Sequence, residues 1–175
     1  MGLIDKTKIG HACHHHLIAT EGKQHDVSFT GFSISPAEAA ENLAYLAAKL
    51  RFYTDAWDVA EDLRHGVDAI VVIDARSEQH YLAGHIPGAV SLPHRRMDEA
   101  GTAALDRDKV YITYCDGIGC NASTKGAYQL ARLGFKVKEL IGGLDFWLRD
   151  GYPVVSGASR GSLAGQPSDV DCGCA

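Results

Sequence analysis

Short apolar runs alternate with amphipathic segments through the middle of the chain. Residues 69–74 have the sequence AIVVID, a continuous β-branched run typical of a strand buried on both faces of a parallel sheet. Residues 89–92 (AVSL), 110–114 (VYITY) and 137–141 (VKELI) are shorter candidates of the same kind. Residues 122–133 repeat apolar positions at helical spacing. A strand, a helix and a second strand at this spacing form a crossover unit, which predicts parallel pairing.

Two helices are predicted before the first long strand. Ser35-Pro36 opens one of them, because Ser can accept unpaired amide hydrogens and Pro loses nothing at the first turn. A shorter helix begins near Thr54-Asp55 and ends at Gly66, where a left-handed cap costs little. The apolar stripe of the first helix consists of Ala39, Leu43, Leu46, Ala47 and Leu50, and that of the second consists of Val59, Ala60 and Leu63.

The two ends of the chain lack this periodicity. Residues 1–30 mix charges, glycines and a histidine cluster, and we expect them to form a flexible arm. Residues 155–175 are rich in Gly and Ser, with too little apolar content to offset the cost of ordering, so a flexible tail is expected. One folded domain is therefore predicted over residues 31–154.

The composition is that of an ordinary globular protein. Of its 175 residues 46% are hydrophobic, and 17 Lys+Arg against 22 Asp+Glu give a net charge of −5. The apolar runs are too short to cross a membrane and no signal peptide is evident, so we expect a cytoplasmic protein. Because no basic cluster is present, nucleic acid and anionic membranes are disfavoured as partners. Five cysteines are too few for a disulfide scaffold, which favours free, reactive thiols.

The candidate chemistry lies in residues 114–124 (YCDGIGCNAST), which run from the end of a predicted strand into a helix. Ligands bind at this junction in open α/β sheets. Two glycines let the backbone N–H groups point inward, and the helix adds its positive end. Such a cradle would lower the pKa of Cys115 and make it a nucleophile at neutral pH. The alternative is that Cys115 is a small buried hydrophobic residue.

Four features in a fixed order resemble the rhodanese-like sulfurtransferases, over about residues 54–154. They are Ile73-Asp74-Ala75-Arg76, then Gly84-His85-Ile86-Pro87-Gly88-Ala89-Val90, the Cys115 loop, and Ile141-Gly142-Gly143 with Trp147 and Gly151-Tyr152-Pro153. The resemblance implies a three-layer α/β domain with a central parallel five-stranded sheet flanked by helices, here with an extra N-terminal helix at 35–50. It also implies that Cys115 takes sulfane sulfur from a donor such as thiosulfate, as a persulfide, and passes it to an acceptor such as cyanide or a thiol.

The loop after Cys115 would bind the anionic outer sulfur of a persulfide through its main-chain N–H groups. These donors belong to Asp116, Gly117, Ile118, Gly119, Cys120, Asn121 and Ala122. Many members of the resembled family carry a cation in this loop, whereas here Lys125 is the first one. Thiosulfate is therefore expected to be a poor substrate, and a larger or less charged donor is favoured. Asp116 would oppose the thiolate, so we expect it to face solvent or a neighbouring amide.

Other residues near the loop receive supporting roles. Cys120 is a candidate resolving thiol that could pair with Cys115, or alternatively a packed, inert side chain. Asp74, Arg76 and His85 are expected to fix neighbouring loops by hydrogen bonding rather than to take part in catalysis. Trp147 is expected to pack in the core.

Nothing in the sequence requires a cofactor or a dedicated metal site. The cluster of His11, Cys13, His14, His15 and His16, and the pair Cys172 and Cys174, are suitable ligand types, but they lack the separated pairs of a closed zinc site. Adventitious metal binding by the termini is expected instead. The tail cysteines could alternatively receive sulfur from Cys115.

Two other functional classes were weighed. Phosphatases and arsenate reductases, which share the resembled fold, need an arginine six positions after the cysteine, and Asn121 stands there. The second alternative is a non-catalytic or redox-regulatory binding module. The added helices at 36–65 could cover the sheet edge, form a homodimer surface or dock a partner. The expected partners of an enzyme are a small sulfur donor and a thiol or cyanide acceptor.

Overall fold

The computed structural model describes residues 35–167. The contacts divide the chain into two units, residues 1–37 and 38–175, and the fold described below belongs to the second unit. The predicted arm at 1–30, the histidine cluster, and Cys13, Cys172 and Cys174 lie outside the described residues.

Five parallel strands form one sheet in the order β1-β5-β4-β2-β3. The strands are β1 (Tyr53–Thr54), β2 (Ile70–Asp74), β3 (Val90–Ser91), β4 (Val110–Tyr114) and β5 (Lys136–Leu140). The central strand β4 pairs with β2 along its whole length and with β5 along four residues. The fold class is thus as the sequence predicts, and four strands lie where the apolar runs indicate. The fifth, β1, has only two residues and leaves no periodic signal.

Helices cover both faces of this sheet. They are α1 (Ala39–Phe52), α2 (Ala56–Arg64), α3 (Glu78–Ala83), α4 (Ala122–Arg132) and α5 (Gly143–Arg149), with a 3₁₀ helix at His94–Arg96. The predicted second helix is confirmed as α2, which the Asp55 carboxylate caps by accepting from the Asp58 N–H at 2.9 Å. Among the described residues, no helix combines the length and apolar character needed to span a bilayer.

The core has two halves, one on each face of the sheet. Val72 of β2 packs with residues of α2 and α5, including Val59 and Trp147. The next residue, Ile73, packs on the opposite face with Leu130 of α4. Because successive strand residues point to opposite faces, a strand covered on both sides is apolar at every position, which explains the β-branched run at residues 69–74.

Helix α1 differs from the prediction at its start and in its packing. It begins at Ala39 after an N-cap at Glu38, so Ser35-Pro36 lies in the exposed segment before the helix and does not open it. The predicted apolar stripe is present but exposed, with Leu43 at 72% and Leu50 at 75% exposure. The helix lies at the β1 edge of the sheet, where it contacts β1 and β5.

The segment after Val154 is docked on the domain, which corrects the prediction of a flexible tail for residues 155–167. Val155 and His85 exchange backbone hydrogen bonds of 2.9 and 3.0 Å, and Gly165 donates to the carbonyl of Arg64 at 3.0 Å. Leu163 is 2% exposed and belongs to the core. One buried leucine and several paired backbone groups therefore offset the ordering cost that the Gly- and Ser-rich composition suggests.

Candidate active site

Cys115 is the first residue after the central strand β4, and residues 115–121 form the loop that leads into α4. The beginning of α5 holds this loop from the other side. The Leu144 N–H donates to the Cys115 carbonyl at 2.9 Å, and the Asp145 N–H donates to the Asp116 carbonyl at 2.7 Å. Amide groups in the first turn of a helix have no partners within the helix, so they are available for such contacts. The loop backbone is therefore anchored to two elements.

The glycine pair Gly142-Gly143 permits this close approach. Both residues have a positive φ, 74° and 57°, which side chains of L-residues disfavour. A Cβ atom on Gly143 would collide with the carbonyl oxygen of Cys115. The Ile141-Gly142-Gly143 motif is therefore explained by the close contact between the backbone of Gly143 and the backbone of Cys115.

The Cys115 sulfur is enclosed by its own loop, since the residue is 2% exposed. Its Sγ donates to the carbonyl of Cys120 at 2.9 Å and lies 3.6 Å from the carbonyl of Gly117. The hydroxyl of Ser123 lies 3.3 Å from Sγ on the α4 side. Carbonyl oxygens accept from a neutral thiol and repel a thiolate, so this arrangement favours the protonated form.

The electrostatics of the sulfur correct the prediction of a lowered pKa. Burial raises the pKa of the Cys115 thiol, and the neighbouring Cys120 thiol adds to the rise. The hydroxyl and N–H of Ser123 act in the opposite direction without cancelling it. The N–H of Cys120, expected to point inward, donates instead to the Gly117 carbonyl at 3.0 Å. In this conformation the loop turns the carbonyls of Gly117 and Cys120 toward the sulfur, and sequence spacing cannot distinguish this arrangement from one with inward amides.

Asp116 faces solvent as expected, with 56% of its side chain exposed, and it also forms an ion pair with Arg76 that the sequence does not predict. Nη1 of Arg76 lies 2.9 Å from Oδ1 of Asp116, while its Nε and Nη2 bind the buried Asp74 carboxylate. Tyr114 donates its hydroxyl to the same Asp74 at 2.8 Å. Burial, and then the Asp74 charge, raise the pKa of Tyr114, so the phenol remains a donor. The network joins the ends of β2 and β4 to the loop.

His85 lies in the connection between α3 and β3, apart from the sulfur. Its ring stacks on Tyr81 with 3.6 Å between the centroids, and Nδ1 lies 2.8 Å from the Tyr81 carbonyl. Nε2 lies 3.1 Å from the carbonyl of Ser159. His85 therefore connects the α3 turn to the docked C-terminal segment. Trp147, which the sequence predicts in the core, is fully buried.

A cavity of about 220 Å³ opens beside Cys115. Its polar side chains include Glu139 of β5, which accepts a hydrogen bond of 2.8 Å from the hydroxyl of Thr124. Ile118 stands at the rim and is 77% exposed. The lining residues are Tyr53, Cys115, Gly117, Ile118, Cys120, Ser123, Thr124, Glu139, Leu140, Ile141, Gly142 and Gly143. A carboxylate in the wall and a loop without a cation make this cavity a poor site for a dianion.

The structure places three of the seven predicted substrate-binding residues on this cavity and adds others. Gly117, Ile118 and Cys120 line the cavity, and Asp116 and Gly119 line the adjoining groove, whereas Asn121 occupies the N-cap of α4 and Ala122 is buried. Ser123 was missed, although a hydroxyl in the first turn after a loop cysteine is a recognisable signal. Glu139 and Tyr53 carry no such signal, because sheet order alone brings them beside Cys115.

Comparisons with known proteins are consistent with this geometry. Residues 56–150 match the Rhodanese family, described as a rhodanese-like domain. The HTH-type transcriptional regulator Rv0324 of Mycobacterium tuberculosis is 34% identical over 136 residues, 74% of this chain and 59% of the regulator. The thiosulfate sulfurtransferase GlpE of Pseudomonas entomophila is 36% identical over 88 residues, 49% of this chain and 76% of that enzyme.

Solved structures give the same result. The BH2092 protein of Bacillus halodurans is 37% identical with a TM-score of 0.66, covering 75% of this chain and 92% of that protein. A rhodanese-related protein of Thermoplasma volcanium is 29% identical with a TM-score of 0.51, covering 59% and 97%. The chain spans about three-fifths of the length of the first curated relatives that it matches.

Proposed function

The chain belongs to the rhodanese-like family of sulfurtransferases, and on that premise we propose that it transfers sulfane sulfur through a persulfide on Cys115. The proposal is based on the position of Cys115. This residue follows the central strand, in a loop that α5 anchors, and it lines a cavity together with Ser123. This is the junction at which open α/β sheets bind their ligands.

The proposed reaction has two steps. The Cys115 thiolate attacks the outer sulfur of a donor such as thiosulfate, the S–S bond of the donor breaks, and sulfite leaves with the electron pair. A thiol or cyanide then attacks the outer sulfur of the persulfide and restores the Cys115 thiolate. Because the thiol is neutral in the resting conformation, it must first lose its proton, and Ser123 is the group positioned to stabilise the resulting thiolate.

The charges around the cavity support a donor less charged than thiosulfate. Glu139 lies in the cavity wall, and Asp116 and Asp145 line the adjoining groove. Arg76 is already paired with Asp74 and Asp116, and Arg149, which lines the same groove, is paired with Asp145. A dianion would approach these carboxylates without a free cation from Arg76, whereas the persulfide group of an alkyl persulfide carries a single negative charge.

The proposal is tested by loading the reduced protein with thiosulfate or with a small alkyl persulfide, followed by desalting and peptide-resolved mass spectrometry. We expect one added sulfur atom on Cys115, with the alkyl persulfide loading faster than thiosulfate, and no loading at this position in Cys115→Ser. The exposed change Ser156→Ala is a matched control for handling and folding. If neither donor adds sulfur to Cys115, the sulfurtransferase proposal is wrong.

A redox-regulatory or binding module is the second candidate, and one relative favours it. The regulator of Mycobacterium tuberculosis resembles this chain over 136 residues, which is more than the 95 residues matched to the rhodanese family. The substitution Cys115→Ser separates the two functions. An enzyme loses turnover, while a docking module keeps its partner.

A further inference from the structure

Two thiols share the candidate site. Sγ of Cys115 lies 2.9 Å from the carbonyl oxygen of Cys120, and both residues line the 220 Å³ cavity. The loop turns back on itself to achieve this, because the Cys120 N–H donates to the Gly117 carbonyl at 3.0 Å. The two residues are five positions apart, yet the turn folds Cys120 over the sulfur of Cys115.

The two cysteines differ in accessibility. Cys115 is buried and lines the 220 Å³ cavity. Cys120 is half-buried and lines that cavity as well as two grooves on the outer side of the loop, neither of which includes Cys115. One of these grooves includes Asp145 and Phe146, and the other includes Arg76 and His80. Cys120 therefore stands between the enclosed nucleophile and the protein surface.

We propose that Cys120 is the resolving thiol of the Cys115 persulfide, releasing its outer sulfur as sulfide and leaving a Cys115–Cys120 disulfide. This inference rests on the proposed function, since it requires the persulfide to form. The new bond joins the two Sγ atoms, and the bond between Sγ of Cys115 and the outer sulfur breaks. The outer sulfur leaves with the electron pair and takes the Cys120 proton, departing as HS⁻. The outer sulfur is reduced and the Cys120 sulfur is oxidised, while Sγ of Cys115 exchanges one S–S bond for another. An external dithiol must later reduce the disulfide.

The surroundings of Cys115 favour this direction of attack. Attack on the outer sulfur would expel the Cys115 thiolate, and attack on Sγ expels sulfide. The less basic leaving group departs faster in thiol–disulfide exchange. Burial and the facing carbonyls make the Cys115 thiolate unfavourable, so sulfide is the better leaving group. The Cys120 carbonyl contacts Sγ at 2.9 Å, so this residue lies next to the atom that must be attacked.

The test uses the full chain with the other three cysteines replaced, Cys13→Ser/Cys172→Ser/Cys174→Ser, so that only Cys115 and Cys120 remain. This parent and its Cys120→Ser derivative are loaded with inorganic polysulfide, desalted and kept without added thiol. Released sulfide is measured with time, and peptides are analysed under non-reducing conditions. We expect about one sulfide per loaded Cys115 in the parent, together with the Cys115–Cys120 disulfide. In the Cys120→Ser derivative the persulfide should persist at least about tenfold longer.

The outcomes separate this inference from the proposed function. A persulfide that forms in both proteins and decays at the same rate overturns the resolving role and leaves the sulfurtransferase proposal standing. Sulfur that moves onto Cys120 without release of sulfide also overturns it. If Cys115 fails to load even in the Cys120→Ser derivative, both proposals are wrong. A Cys120→Ala derivative repeats the comparison without a hydroxyl at that position.

Discussion

The guanidinium of Arg76 and the carboxylate of Asp116 form an ion pair of 2.9 Å that joins the end of β2 to the loop carrying Cys115. The pair has two consequences. It turns the Asp116 charge away from the Cys115 sulfur, and it occupies a cation that an anionic donor would otherwise attract. Asp116 is 56% exposed, so the pair itself contributes little to stability, about 0–1 kcal/mol.

Replacing Asp116 by Ala should improve the use of thiosulfate. The change removes one negative charge from the rim of the site and frees one arm of Arg76. We expect kcat/KM for thiosulfate to rise roughly fivefold at low salt, which corresponds to about 1 kcal/mol for one charge in a high dielectric. Asp108→Ala removes the same charge before β4, at the opposite end of the strand from Cys115. An equal gain in both variants would contradict a local effect.

The pH dependence of Cys115 alkylation follows from the direction of its pKa. Because burial raises that pKa above the ordinary thiol value of about 8.5, the thiolate population should increase only in the alkaline range. The iodoacetamide rate at Cys115, followed by peptide mass spectrometry, should therefore reach its half-maximum above about pH 8.5. A midpoint below pH 7 would show that the loop adopts a different, thiolate-stabilising arrangement.

The folded state binds the thiol proton more tightly than the unfolded chain, so this group's contribution to stability is present below about pH 8.5 and is lost as pH rises through the folded pKa.

Removing the Ser123 hydroxyl should shift this profile further. Ser123 lowers the pKa of Cys115, so Ser123→Ala should move the alkylation midpoint upward by roughly 0.4–1 pH unit, the equivalent of one hydrogen bond worth about 0.5–1.5 kcal/mol. The same measurement on Ser156→Ala, an exposed serine outside the site, should give the unshifted midpoint. A Ser123→Ala profile that coincides with this control would show that the hydroxyl does not act on the sulfur.

A side chain at Gly143 would destabilise the fold for two reasons, its contact with the Cys115 carbonyl and its positive φ, and the two free-energy costs can be measured separately. Gly151 has φ 83° with open space around its Cβ direction, so Gly151→Ala should cost only the left-handed penalty of about 1–2 kcal/mol. Gly143→Ala meets the Cys115 carbonyl as well, and we expect it to cost at least about 2 kcal/mol more and to abolish persulfide loading. Urea unfolding and the loading assay measure the two effects. Equal losses of stability would mean that the loop moves aside without cost.

The docked C-terminal segment makes a measurable contribution to stability. Leu163 is 2% exposed, so Leu163→Ala should destabilise the fold by about 2–4 kcal/mol. Val67→Ala, at a residue 39% exposed, should change the free energy of unfolding by less than about 1 kcal/mol. Chemical denaturation of both variants provides the comparison. A Leu163→Ala protein as stable as Val67→Ala would mean that the segment is not docked in solution.

Some features of this protein could be predicted from local sequence because their causes are local. The β-branched run at 69–74 reports burial on both faces, and the capping Asp55 with Gly66 delimits α2. The position of Cys115 between a strand and a helix follows from the same patterns. These signals lie within a few residues of the feature that they predict, so no knowledge of distant contacts is needed.

Other features depend on contacts between distant parts of the chain. The two-residue strand β1 exists because it pairs with β5, and the segment at 155–167 is ordered because His85 and Arg64 supply its hydrogen bonds. The direction of the Cys115 pKa depends on which carbonyls face the sulfur, and Glu139 reaches the site only through the sheet order. The sequence by itself determined the fold class, the central strands and the place of Cys115 between a strand and a helix. Tertiary structure decided the direction of the Cys115 pKa, the contact of its sulfur with the Cys120 carbonyl and the charges around it, because burial and electrostatics act between groups far apart in the sequence.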